Sequence, residues 1–413
     1  MIQFEKFTLA NGLKVIVHED FSTPLATINL LYDVGARDED EAKTGFAHLF
    51  EHLMFGGSVN IPSYDTPLQE AGGENNAFTS NDITNYYLTL PANNIETGFW
   101  LESDRMLSLA FSEKSLEVQR NVVIEEFKQR YLNQPYGDVW LLLRELAYQV
   151  HPYKWNTIGK EIKHIEDATM DDVKDFFKTH YHPSNAVLVV AGAIKLEQVK
   201  GLTEKWFAPI PAQTKKPRLL PKEPVQIIAR RLVVERNVPA TAIYKAYHIA
   251  DRMHADYYAH DLISDILGRG QSSRLHQALV KEKELFTEIG AYLTGNTDPG
   301  LLVISGKIRE DVSVEVAELA IEEVLQKFMQ EGVGERELAK VKNKAESTYA
   351  FEQMGISNIA LTLAFWELMG DANLASTELE RIQAVTIEKA NAEIAKILVP
   401  TNCNTLIYKS KAN

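Results

Sequence analysis

The stretch Gly45-Phe46-Ala47-His48-Leu49-Phe50-Glu51-His52-Leu53-Met54-Phe55-Gly56-Gly57 decides how the rest of the chain is read. At about 100° per residue, Phe46, Leu49, Phe50, Leu53 and Met54 gather on one side of a helix, and His48, Glu51 and His52 gather roughly opposite. Gly56-Gly57 supplies the stop. Two imidazoles one turn apart can grip one small cation, and a carboxylate at i+3 stands beside them, placed to accept a proton. His-x-x-Glu-His is the inverted form of the His-Glu-x-x-His zinc helix.

Outward from this helix, 413 residues are too many for one typical core, so two or more domains are expected. With 45% hydrophobic and 24% charged residues the composition is that of an ordinary soluble protein. The net charge of −14 disfavours nucleic acid or an anionic membrane as a general partner. Cys403 is the single cysteine, so a metal here must be held by His and carboxylate. No apolar run approaches the length of a membrane span. The opening Met1-Ile2-Gln3-Phe4-Glu5-Lys6 lacks the basic-then-apolar pattern of a secretory leader, which predicts a cytoplasmic protein, or a periplasmic one if a leader has been removed.

Phe4 to Leu9 and Leu13 to Val17 are expected to be strands around the turn Ala10-Asn11-Gly12, with a third strand at Leu25 to Tyr32. After the acidic patch Arg37 to Glu41 and the motif helix comes a turn at Ala71 to Ser80, and strand-like sequence resumes at Thr84 to Leu90. Helices are predicted at Ile95 to Leu109, Glu113 to Tyr131 (capped by Ser112), Val139 to Gln149 and Met170 to His180, then a buried strand at Ala186 to Ala191. Five prolines between Pro209 and Pro224 mark a linker. Beyond it the order repeats: strand Ala242 to Tyr247, helix Ala255 to Leu267, helix Ser273 to Lys283, strands Ile289 to Leu293 and Leu301 to Gly306, then long helices. Ala259 to Gly268 lies over Ala47 to Gly56, with His260 retained but Ile263 and Ser264 in place of Glu51 and His52. The expected architecture is therefore α+β, a duplicated unit of mostly antiparallel sheet with helices packed on it. One half carries a live metal motif and the other a dead copy in which His260 is structural. The expected divisions are residues 1–208, a linker at 209–224, and 225–413 without a metal site.

A catalytic zinc wants three protein ligands and leaves a fourth position open. Glu125 and Glu126, in Arg120-Asn121-Val122-Val123-Ile124-Glu125-Glu126-Phe127, sit mid-helix in an otherwise apolar stretch, where ionised groups are costly unless paired or metal-bound. The residues alone do not choose between these neighbours.

His48-Leu49-Phe50-Glu51-His52, then Asn76-Ala77-Phe78-Thr79 with Thr84-Asn85-Tyr86-Tyr87, then Arg120-Asn121 and Glu126, resemble the pitrilysin/insulinase (inverzincin) metallopeptidases. The size, with one active and one decayed half, is similar to the short branch that includes the mitochondrial processing peptidase subunits. The likeness extends through the opening Asn-Gly-Leu hairpin, His151-Pro152-Tyr153 with Gly159, and Tyr181-His182-Pro183-Ser184-Asn185. It implies one Zn2+ per chain held by His48, His52 and Glu126, the last 74 positions past the second histidine, with Glu51 as general base. It also implies that Asn76, Ala77 and Phe78 lie on a sheet edge that pairs with extended peptide substrate, an arrangement that ignores most side chains. A zinc endopeptidase acting on unfolded peptides between clamshell halves is the implied activity.

Two departures qualify the resemblance. Gln119 stands where the family often carries a second Glu, one that would share a helix face with Glu126 and act on the metal indirectly. In the second half, an Arg and a Tyr that hold the substrate carbonyl in active members fall on Val280 and Thr287, with Tyr292 out of register. A homologous zinc-free subunit supplying that pair in a heterodimer is the implied partner, a homodimer being the alternative; neither nucleic acid nor membrane is expected. Two rival functions remain in view: a non-catalytic assembly or scaffold subunit, and a peptide-binding module whose zinc is closed by a fourth ligand, for which His151 and His164 are the candidates.

Overall fold

The computed structural model describes residues 2–411, which form two compact units, each built on its own mixed sheet. In the first unit six strands, β1 (Glu5–Thr8), β2 (Lys14–Glu19), β3 (Leu25–Tyr32), β4 (Glu74–Thr79), β5 (Thr84–Pro91) and β6 (Ala186–Gly192), lie in the order β1-β2-β6-β3-β5-β4. Only the β2/β6 pair is parallel. The β1–β2 hairpin turns through Gly12 at φ 92°, a conformation that costs glycine nothing. All of β6 is buried, as expected of an apolar strand covered on both faces.

The second unit contains β7 (Arg230–Arg236), β8 (Ala242–His248), β9 (Phe286–Leu293), β10 (Leu301–Ile308) and β11 (Cys403–Ser410), in the order β7-β11-β8-β10-β9. Again one pair, β7/β11, is parallel and the others antiparallel. Matching the sheets strand for strand, only β1 lacks a counterpart, so the duplication and the α+β class inferred from sequence are both present.

The units are not contiguous in the chain, unlike the divisions at 208 and 225 expected from the linker. The first comprises Met1–Lys128, Trp155–Leu220 and Tyr349–Thr377, the second Gln129–Lys154, Pro221–Thr348 and Glu378–Asn413. The reason is burial. Each sheet has one apolar face that its own half leaves bare. In the first unit helix Ile356–Leu368 fills it, setting Ile359, Leu363 and Trp366 against Ile16, Leu31 and Val189. In the second, helix Val139–Ala147 packs Val139 and Leu143 against Ala242, Val303 and Leu406. Apolar periodicity identifies a buried helix without naming the sheet that receives it.

Helix Glu113–Phe127 starts at Ser112, whose side chain accepts the Ser115 N–H as predicted, and it ends four residues earlier than expected in a π-type turn, Lys128–Leu132. The helix expected at Ser273 to Lys283 is likewise a π-type segment, His276–Glu282.

Candidate active site

The motif helix, Phe46–Leu53, is short and is held from three directions. Its apolar face is buried, with Phe50 centred 5.1 Å from Phe176 and 5.0 Å from Tyr181; full burial of such a side chain contributes about 1.5–3 kcal/mol. Its entry is Gly45 at φ 90°, where a Cβ would lie 2.7 Å from the Ile158 carbonyl oxygen. Its first N–H groups are met by Glu39, whose two carboxyl oxygens accept from Gly45 N at 2.9 Å and Ala47 N at 2.8 Å. Within the Arg37–Glu41 patch, Glu39 is thus the buried cap of the motif helix. Burial pushes its carboxyl up to about 8 while the two N–H donors pull against that shift, and in either protonation state both oxygens can accept.

So anchored, the helix presents His48 and His52 with ring centroids 4.8 Å apart and planes at 88°. Helix Glu113–Phe127 packs alongside and brings Glu126 to them, its Oε2 3.7 Å from His48 Nε2 and 3.5 Å from His52 Nε2. One donor atom from each of the three lies within 4.8 Å of the others, and no other such group of three is found among the described residues. A tetrahedral zinc with ligand bonds of about 2.0–2.1 Å sets its ligand atoms roughly 3.3 Å apart, and the two carboxylate–imidazole separations lie within a few tenths of an ångström of that spacing. The residues fit the metal: two neutral-capable imidazoles, one carboxylate, and side chains 14%, 24% and 17% exposed, which leaves an approach from solvent. Glu125 instead points outward, 58% exposed, and pairs with Lys128 at 2.7 Å.

Glu51, on the same helix, accepts the Thr79 hydroxyl at 2.6 Å. Burial raises its carboxyl above the ordinary range; Thr79 and His52 pull it back and the Glu126 charge adds to the rise. Thr79 ends β4, which is the outermost strand of the first sheet, as the Asn76-Ala77-Phe78 expectation requires. Asn76 is exposed, Ala77 is half-buried with its N–H on Asn76 Oδ1 at 2.8 Å, and the Phe78 ring packs at the margin of the core.

The remaining sequence candidates have other employment. His164 Nδ1 meets the Thr44 hydroxyl at 2.8 Å, and His151 accepts the Tyr153 N–H and faces Asp298 at 3.5 Å, so neither closes the metal group. His260 is buried with its Nε2 3.1 Å from Glu393, which makes it structural. Gln119 is half-buried on the Glu126 helix. Val280 packs against the second unit's core, Thr287 donates to the Lys307 carbonyl, and Tyr292 leans on Trp140. Glu39 was not singled out by sequence, and Thr79 was read only as a member of the Asn76-Ala77-Phe78-Thr79 motif, with no role of its own. A carboxylate six residues ahead of a glycine-started helix is a faint signal for the first, and strand alternation from Ala77 is one for the second.

Fold and cluster together define a class: a duplicated α+β chain with an inverted zinc motif in one unit. Residues 14–160 match the family described as Insulinase (Peptidase family M16), and residues 167–345 match its Peptidase M16 inactive domain. The chain is 31% identical over 373 residues to the zinc protease PqqE of Helicobacter pylori, covering 89% of this chain and 84% of that protein. It is 25% identical over 391 residues to a probable mitochondrial-processing peptidase subunit beta of Arabidopsis thaliana, covering 92% and 73%. Among solved structures, that of a protease from Helicobacter pylori superposes with a TM-score of 0.94 at 28% identity, over 99% of this chain and 100% of that one. Pitrilysin shares the fold, with a TM-score of 0.78 at 18% identity over 98% of this chain and 45% of its own. The chain belongs to peptidase family M16, the insulinase and pitrilysin family.

Proposed function

We propose that this chain is the zinc-bearing, catalytic type of M16 chain: an endopeptidase that hydrolyses unfolded peptides. The observation that carries this is the convergence of His48, His52 and Glu126 beside Glu51 and an open strand edge. His48, His52 and Glu126 would hold one Zn2+. When bound, zinc lowers the pKa of water toward 7 and polarises a carbonyl oxygen. Glu51 takes the proton on the carboxylate oxygen that the Thr79 hydroxyl leaves open, and it returns the proton to the leaving amine. β4, through Asn76, Ala77 and Phe78, pairs with the backbone of an extended peptide and so accepts many sequences.

A homologous zinc-free subunit supplies the Arg and Tyr that hold the substrate carbonyl. Support comes from Val280 and Thr287, which offer neither guanidinium nor phenol, and from a relative named as a beta subunit. The test is hydrolysis of a fluorogenic unstructured peptide by the zinc-loaded chain, alone and with its co-purified partner. Activity that rises with the partner and vanishes in Glu51→Gln, with zinc content unchanged, is expected. Full activity in Glu51→Gln, or none in the chain with or without partner, would overturn the proposal. A rate indifferent to the partner would overturn the heterodimer alone.

A further inference from the structure

We propose that Thr79 is a positioning residue that ties the general base to the peptide-binding edge; its effect on rate rests on the peptidase reading above. A carboxylate on a helix swings about three side-chain torsions, and Glu51 is restrained from outside its helix by Thr79. The Thr79 hydroxyl donates at 2.6 Å, within the range of about 2.5–2.7 Å for strong charge-assisted O–H donors.

The grip is useful because Thr79 itself cannot drift. It forms the closing pair of the β4–β5 hairpin with Thr84, and the turn beyond is closed by Ser80 N to Ile83 O at 2.8 Å. That turn is pinned in turn by Ala36 N on the Ser80 carbonyl at 3.1 Å, Arg37 N on the Asn81 carbonyl at 2.9 Å, and the Thr84 hydroxyl on the Val34 carbonyl at 2.9 Å.

Position along the strand adds the second half of the inference. Ala77 and Thr79 are two apart, so their N–H groups point the same way, and neither serves the β5 ladder. The Ala77 N–H rests on the Asn76 side chain, which a peptide carbonyl can displace. The Thr79 hydroxyl holds the Glu51 carboxylate at this same point of the strand. One threonine thus belongs to the edge strand and aims the base, which places the base two residues along the edge from Ala77.

Thr79→Val keeps the branched shape and the backbone N–H but removes the hydroxyl; Thr79→Ser keeps the hydroxyl. With an unstructured peptide, kcat of Thr79→Val should fall about tenfold or more, as expected for loss of a hydrogen bond to a charged group, while KM stays within about twofold and zinc content is unchanged. Thr79→Ser should recover most of the rate. Wild-type kcat in Thr79→Val, or Thr79→Ser as slow as Thr79→Val, would overturn the assignment. A crystal structure of Thr79→Val provides a readout independent of turnover: the Glu51 carboxylate should leave its wild-type position or divide between rotamers. A Glu51 side chain unmoved there would overturn the grip. A displaced Glu51 in a chain whose wild type cleaves no peptide would uphold the grip and count against the peptidase reading instead.

Discussion

The Glu126 carboxylate stands 3.5 Å from His52 Nε2, although 74 residues separate the two, while its neighbour Glu125 faces solvent on Lys128. One residue of helical rotation, about 100°, sorts a ligand from a surface ion pair. Glu126→Ala should therefore leave the purified chain with little zinc after dialysis, and Glu125→Ala should retain the wild-type amount. Metal analysis of the two variants side by side checks this, and loss of zinc from Glu125→Ala would reverse the assignment.

The Glu39 cap gives a stability prediction. Glu39→Gln is nearly isosteric but replaces one acceptor oxygen with an N–H donor, so one of Gly45 N and Ala47 N loses its partner in a buried place. Leaving a buried donor unmet costs about 1–3 kcal/mol. Urea denaturation should show a loss of that order, together with weaker zinc retention, because the cap holds the helix that carries His48 and His52. A variant as stable as the wild type would mean that water replaces the cap without cost.

A pH dependence follows from His180, at the end of helix Met170–His180. Burial, then the charges of Arg218 and His182, push its imidazole down to about 4, with Asp33 pulling the other way. As pH falls, the unfolded chain takes up the proton near its ordinary value of about 6.5 and the folded chain only near 4, so between those values the unfolded state binds more protons. Stability is complete above about pH 6.5 and falls by up to about 3 kcal/mol toward pH 4. His180→Gln should flatten that slope in denaturation curves at pH 7.5 and 4.5, the comparison cancelling all other titrating groups. Equal slopes would show that His180 does not contribute.

Much of this arrangement was legible in the chain because it is written in local periods. The β3 expectation, Leu25 to Tyr32, agrees with the strand at both ends, and helix Met170–His180 does the same, since each carries a clean apolar pattern and an interpretable start. Two strands of the second sheet, β7 and β11, escaped notice for an equally physical reason. β7 runs Arg-Arg-Leu-Val-Val-Glu-Arg and alternates half-buried with exposed, and β11 buries Asn404 and Thr405, so neither has the composition of a core strand. Helix Ile356–Leu368 was expected only as one of the long second-half helices, and its place on the first unit's sheet depends on tertiary packing that periodicity does not encode. At the site, the i, i+3, i+4 spacing of His48, Glu51 and His52 was visible. Residue chemistry alone left Glu126 and Glu125 as equal candidates, the family resemblance chose Glu126, and helix packing places Glu126 beside the histidines and Glu125 in solvent. Glu39 reaches across a turn to residues six and eight positions on, and Thr79 reaches from a strand to a helix 28 positions away, contacts for which local periodicity carries little signal.

The central claim is a single zinc held by the three convergent side chains. Diffraction from zinc-loaded crystals above and below the zinc absorption edge tests it most directly. One anomalous peak per chain, within about 2.0–2.2 Å of His48 Nε2, His52 Nε2 and a Glu126 carboxylate oxygen, is the predicted result. A map without a peak among these three residues, or with its peak on a different set of side chains, would contradict the account.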